Sequence, residues 1–368
     1  MADQNSTLFL GHKHLGHGYE LQLRGYHAWA KDVMSLVWFK TSFDEGGVPM
    51  RSRYCPVRQY NKDKPDKYRV DFFILADAKH YFIYHLDVYK GKNKANIDIH
   101  KSIRKLPTTQ KSVANDILKS GIANDPDGCR YIFMDNCYSA PQLLALMMTN
   151  YNIHAVGTCK ANRIGFESDK LQLEKGVERG SFKRLVDKRL GMIITQWKDS
   201  KTLQTVSTVM CKGAQTIQRR NDATLINVTC PNDIVMYQTY IGGVDCGDQH
   251  RVVGAGFANV AHFKKWYKKA FMGIADFSLL QAFTVWNLSV DENYESRRGN
   301  ANVKRKKLIK WEFYSALVEE LMTYTDRGEM EGLPAVCALS KTYMDGHVAK
   351  PYFSFNKRDI IKRPVCKK

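Results

Sequence analysis

The sequence predicts an α/β domain that runs into a β-rich stretch and then into a helical C-terminal part. Three observations carry this expectation. β-type apolar runs alternate with segments of helical period through about residue 160. Short β-type runs around polar turns fill residues 165–230. After residue 258 the apolar residues recur at helical spacing.

Taken in order, "GYHAWAKDVMSLVWF" at 25–39 reads as a short helix. The following "TSFDEGGVPMRSRYCPVRQYNKDKPDKYR", rich in Gly, Pro and basic residues, reads as an extended basic connector. "YRVDFFILAD" at 68–77 and "HYFIYHLDVYKG" at 80–91 read as two strands, close enough across Ala78 and Lys79 to form a hairpin. "KSVANDILKSGI" is a helix, with Val113, Ile117 and Leu118 on one face. "YIFMD" is a strand, "APQLLALMMTNYN" a helix and "HAVGTCKA" a strand. Farther on, Phe263, Tyr267, Ala270, Ile274 and Phe277 form one stripe, with Lys264, Lys265, Lys268 and Lys269 around it. "VKRKKLIKWEFYSALVEELMTYTD" reads as a second amphipathic helix whose basic start opposes the macrodipole. The tail "NKRDIIKRPVCKK" is basic.

The chain has 368 residues, enough for one large domain or two ordinary ones, and a 44% hydrophobic content sufficient for a core. Lys and Arg number 56 against 37 Asp and Glu, a net charge of +19. A charge of that size concerns partners rather than fold, and it favours a polyanion, nucleic acid first. The nine cysteines include no C-x-x-C pair, which suits reduced thiols and argues against a local structural zinc site. The opening "MADQNSTLFLGHKH" lacks the order of a signal peptide, and no apolar run is long enough to span a membrane.

"RYIFMDNCYSAPQLLALMM", residues 130–148, raises a chemical question. A buried-looking strand ends there on Asp135. Asp135 or Ser139 could cap the helix that begins near Pro141. Alternatively Asp135 is a metal ligand at the C-terminal edge of a sheet. Asp77 ends another strand, and Asp245 and Asp248 stand in "GGVDCGDQ" ahead of a helical series. Each has an ordinary reading as a turn, cap or first-turn residue. Together they could converge on divalent cations, because gathered carboxylates repel unless a cation sits between them.

"LADAKHYF", "MDNCYSAPQLLALM", "AVGTCKANR" and "YIGGVDCGDQH…HFKKWYKKAFMGIADFSLLQAFTVWN" together resemble the piggyBac family of DNA transposases and the proteins derived from them. The resemblance runs from about residue 44 to 290, with the blocks in order. It implies an RNase H-like mixed-sheet α/β core interrupted by a β-rich insertion. The expected parts are an N-terminal stub (1–43), a first core part with basic lead-in (44–164), the insertion (165–230), a second core part with helices (231–325) and a basic tail (326–368).

The resemblance implies an Asp-Asp-Asp site of Asp77, Asp135 and Asp245, with Asp248 at a further acidic position. It implies two Mg²⁺ ions, with Mn²⁺ as a substitute, and excision of transposon ends followed by 3′-OH attack on a TTAA target. The other reading is a transposon-derived protein that binds DNA or chromatin without catalysis. A longer N-terminal region and a C-terminal zinc module of the family are not matched in this chain, which suggests a truncated or decayed copy. A homodimer and a nuclear location are further implied, and no membrane association is expected. Lys160 and Arg163 are candidate phosphate contacts near the site, and Lys264, Lys265, Lys268 and Lys269 are candidates on the later helix. Lys304 to Lys307 could form a nuclear-import patch. His80, His250, Cys137 and Cys246 lie close to the acidic blocks but are not expected to act as ligands or nucleophiles.

Overall fold

The computed structural model describes residues 40–89, 103, 106–124, 130–160, 163, 171–253, 256–260, 263–291 and 307–326. The expected helix at 25–39, the basic tail and residues 304–306 lie outside them. The chain divides into two units, Met1–Lys307 and Leu308–Lys368.

At the centre of the first unit lies β1 (Lys40–Pro49). Its start falls before residue 44, where the core was expected to begin. It corrects the expectation of a connector: two glycines, a proline and two acids disguised a central strand. Both glycines answer a steric need. A Cβ on Gly46 would stand 2.4 Å from Ile74 Cδ1, and one on Gly47 would meet the Arg69 side chain at 2.8 Å. Alternation then buries Phe43 and Val48 on opposite faces.

Around β1 lie β2 (Gln59–Tyr60), β3 (Tyr68–Asp77), β4 (Ile83–Val88), β5 (Arg130–Met134) and β6 (Ile153–Thr158). The expected hairpin is present: β3 pairs antiparallel with β4, through a connection in which Tyr81 adopts φ 64°. β1 pairs antiparallel with β3 and parallel with β5, and β5 pairs parallel with β6. β7 (Phe182–Asp187), β8 (Met192–Lys198) and β9 (Thr202–Ser207) continue this sheet, because β9 pairs antiparallel with β6. The order is β2-β3-β1-β5-β6-β9-β8-β7, with β4 also on β3. β10 (Ala214–Asn221) and β11 (Thr224–Pro231) form a separate two-stranded sheet. Residues 165–230 therefore supply strands to both sheets.

Helices cover both faces of the main sheet. α1 (Thr108–Lys119) and α2 (Pro141–Tyr151) bury Val113, Ile117, Leu143, Leu144 and Met147 in one core with Phe43 and Ile132. Pro141 opens α2, where its missing N–H costs nothing, and Asn152 closes it in a left-handed turn of φ 52°. Beyond β11 come α3 (Asn232–Tyr240), α4 (Gly243–Val252), α5 (Phe257–Val260) and α6 (Trp266–Asp291). Val244, Ala258, Ala270, Ile274 and Phe277 fill the second core with Val48, Val70, Phe72 and Ile74. The expected stripe is thus a packing face from Ala270 onward, whereas Phe263 precedes the helix.

In the second unit, α7 (Lys310–Asp326) starts after Lys307. Lys310 opens it, and Glu312 in its first turn accepts the Ile309 N–H at 3.1 Å, so an acid offsets the basic start that opposes the macrodipole. Among the described residues, no helix is long and apolar enough to cross a membrane.

Candidate active site

The parallel register of β1 and β5 builds the site. Phe43 lies opposite Met134. The next residues on the two strands are Asp44 and Asp135, which therefore emerge together at the C-terminal edge of β5. Neither Asp135 nor Ser139 caps α2: the cap is Ala140, without a side-chain bond. Asp135 instead shapes its own turn, its Oδ1 accepting the Cys137 N–H at 2.7 Å. Ser139 is fully buried and donates to the carbonyls of Met134 and Asp135. Behind it, Gly157 has no room for a Cβ, which would stand 1.9 Å from Ser139 Oγ.

α4 crosses the same strand. Ser42 Oγ accepts the Val244 N–H at 3.1 Å. Asp245 lies in the first turn of this helix and is exposed, at the end where the helix dipole favours a carboxylate. The charges of Asp245 and Asp135 both reach Asp44. Burial first, then these two neighbours and Glu45, push the Asp44 carboxyl up to about 7, although its Oδ1 accepts the Glu45 N–H at 2.8 Å. Asp135 is also raised, by burial and then by the Glu45 charge. Glu45 also reaches Tyr138, whose hydroxyl is pushed far up by burial and by that carboxylate.

Asp44 is the acidic residue that the sequence reading missed. Its signal was the "FDE" inside a segment read as connector. Only the pairing with β5 reveals its position.

Asp77, expected as the first ligand, does not share the site. β3 runs antiparallel to β1, so its C-terminal residue lies opposite Thr41, which in turn lies opposite Ile132. Asp77 is thus three residues back from Asp135 along the strand direction, about 10 Å at strand rise. It is fully buried, and its Oδ1 accepts the N–H groups of Lys79 and His80 at 3.0 and 2.6 Å. His80 Nδ1 stands 3.2 Å from the same oxygen.

Asp248 is committed elsewhere. Its Oδ1 accepts Nε and Nη2 of Arg251 at 2.9 and 2.8 Å. The buried Arg251 guanidinium also donates to the Gly47 carbonyl at 2.7 Å and lies over the Phe277 ring at 4.6 Å.

Two of the candidate basic residues reach the site. Arg163 donates to the carbonyls of Asn136 and Cys137 at 2.5 and 2.9 Å, and its charge lowers Asp135. Lys160 is exposed just after β6, and its charge reaches Cys137. Lys264, Lys265 and Lys268 are exposed around the start of α6. Lys269 is half-buried there, its pKa lowered by burial and by Arg51, just past the end of β1. His250 stacks on Tyr81 at 5.3 Å. Burial and then Asp135 push the Cys137 thiol up, the wrong direction for an activated nucleophile.

Asp44, Asp135 and Asp245 fit a hard divalent cation by donor type: all are carboxylates, gathered where their charges raise Asp44. Among the described residues no three His, Cys, Asp or Glu side chains form a ready ligand cage.

A mixed sheet with helices on both faces, and carboxylates on a central strand, its parallel neighbour and a crossing helix, defines an RNase H-like core. The family model described as Transposase IS4 matches residues 40–283, and the chain belongs to this family. It is similar to human PiggyBac transposable element-derived protein 3, 25% identical over 237 residues, 61% of this chain and 36% of that protein. The same 25% over 237 residues holds for the human Chimeric ERCC6-PGBD3 protein, of which 20% is covered. The chain thus spans about a third and a fifth of the length of these relatives. A cryo-EM structure of a piggyBac transposase synaptic complex with hairpin DNA superposes with a TM-score of 0.63 at 18% identity, covering 86% of this chain and 59% of that one. The RNase H-like fold and the piggyBac resemblance expected from the sequence are both present.

Proposed function

We propose that this chain is a piggyBac-type transposase domain that cleaves DNA strands and transfers them. The observation that carries the reading is the side-by-side emergence of Asp44 and Asp135 from parallel strands, with Asp245 charging the same space. Asp44, Asp135 and Asp245 would hold the divalent cations, Mg²⁺ or Mn²⁺ in its place. Bound there, such ions would supply Lewis-acid activation of an attacking oxygen and charge stabilisation of a leaving one. Arg163 and Lys160, whose charges reach Asp135 and Cys137, would contact phosphate oxygens, and Asp248 would support the site by holding Arg251. Water, then a DNA 3′-OH, is the nucleophile, so no covalent protein–DNA intermediate forms.

DNA as partner is supported by the net charge of +19 and by the solved relative, itself a complex with DNA. Transposon ends, a TTAA target, a homodimer and a nuclear location follow from the resemblance. The partition into a split core, a β-rich insertion and flanking termini is kept in this reading, with the core beginning at β1. The test is nicking of supercoiled plasmid in Mn²⁺. Wild type should nick, and Asp44→Asn and Asp135→Asn should not. Equal nicking by all three would expose a contaminant. DNA binding without nicking by wild type would favour the second reading, a transposon-derived binding protein without catalysis.

A further inference from the structure

The β10–β11 ribbon has one anchored face and one exposed face. Ile217, Ile226, Val228 and Cys230 pack toward Trp197. Trp197 Nε1 donates to the Thr229 carbonyl at 2.7 Å. Arg219 lies over the Trp197 ring at 5.8 Å and pairs with Asp199 at 3.5 Å. The ribbon is therefore held rigidly from below. The other face presents three cross-strand pairs: Thr216 with Thr229, Gln218 with Asn227, and Arg220 with Leu225. All six residues are exposed, Leu225 at 66%.

The chemistry of this face is specific. It holds no carboxylate that would repel the phosphates of a nucleic acid. It carries amides, hydroxyls, a guanidinium and one apolar side chain. Between Lys212 and Pro231 the one acidic residue is Asp222, in the turn at φ 50°. Amides bind adenine edges, guanidinium binds guanine, hydroxyls bind either, and an aliphatic group meets the thymine methyl.

The dimensions agree. A two-stranded ribbon enters the major groove, about 12 Å wide. Outward pairs two residues apart are spaced about 6.8 Å, twice the base-pair rise of about 3.4 Å.

We propose that the outer face of this ribbon reads base edges in the major groove of duplex DNA. The inference deepens the DNA reading above and rests on it. It makes the ribbon the source of sequence preference, separate from the carboxylates that would cut.

The test uses the full chain and a pool of short duplexes with randomised centres. Wild type should enrich a preferred sequence. The variant Gln218→Ala/Arg220→Ala/Asn227→Ala should lose about tenfold or more of its preference for that duplex over a shuffled one. Its binding to the shuffled duplex should change far less, since phosphate contacts carry that term. These side chains are exposed, and circular dichroism should show the fold retained. A second variant, Arg220→Lys, should keep shuffled-duplex binding while changing the preferred bases. Unaltered preference in both variants, or no enrichment by wild type, overturns the ribbon as reader. If wild type nicks plasmid in that case, the proposed function stands. If wild type neither binds duplex nor nicks, both readings fall.

Discussion

Arg251 and Asp248, one turn apart on α4, form a two-contact ion pair at 2.9 and 2.8 Å, with the arginine side chain fully buried. The pair ties the helix bearing Asp245 to the strand bearing Asp44, because the same guanidinium holds the Gly47 carbonyl. Asp276 adds to the seat: it lies 4.0 Å from Arg251 and accepts the N–H groups of Phe257 and Ala258. Removing one partner of such a pair strands a buried charge, at a cost of about 3–5 kcal/mol. Arg251→Met should therefore destabilise the fold by about that amount. Arg251→Lys should recover part of it, since lysine keeps the charge but loses the two-pronged geometry. Denaturant unfolding measures both, and wild-type stability in Arg251→Met would refute the role.

The proposed placing of Asp44 as first carboxylate, in place of Asp77, makes a direct contrast. Asp44→Asn should abolish nicking as Asp135→Asn does, whereas Asp77→Asn should retain it within about threefold, well short of the large losses expected of a metal ligand. Loss of activity in Asp77→Asn, with its melting point unchanged, would restore Asp77 to the site.

The raised Asp44 carboxyl sets a pH dependence. It binds its proton more tightly folded than unfolded, with a folded pKa of about 7 against 3.8. The stability it contributes is fully present below about pH 4 and is lost as pH rises through about 7. Asp71, pushed up to about 6 by burial, adds to the same trend. Cation binding needs the ionised carboxylates, so it competes with the proton. The melting-point rise on adding Mn²⁺ should be small at about pH 5 and grow through about pH 7 to 8. Asp44→Asn should flatten the metal response and part of the pH trend. Thermal melts with and without Mn²⁺ check this, and a metal shift independent of pH would count against it.

Gly243 sets how closely α4 approaches β1. A Cβ there would stand 2.5 Å from Ser42 Oγ, 2.8 Å from Ala78 Cα and 3.0 Å from the Asp77 carbonyl oxygen. Two of these are backbone atoms, so the helix must shift. Gly243→Ala should cost about 1–3 kcal/mol. It should also reduce nicking at temperatures where the variant remains folded, because Asp245 moves with the helix. Wild-type nicking rates in that range would show that the site tolerates the shift.

Much of this protein was legible in one dimension. Alternation and apolar runs marked β3 to β6, and helical spacing marked α1, α2 and the buried face of α6 from Ala270 to Phe277. The block resemblance pointed to the family, and Asp135 and Asp245 could be picked as the ends of recognisable elements. These are local properties, set by side-chain period and by a few residues in sequence.

The tertiary structure decided what depends on pairing. β1 is stabilised by its neighbours: β3 on one side, β5 on the other and α4 across its face. Its glycines and acids weaken every local signal, so it looked like a connector until those partners were in place. Strand direction then settled the carboxylates. Asp44 and Asp135 lie together because β1 and β5 run parallel, and Asp77 lies apart because β3 runs the other way. A residue's position at a strand end is written in the sequence, but the end of the sheet on which it falls is fixed by the hydrogen-bonding register between strands far apart in the chain.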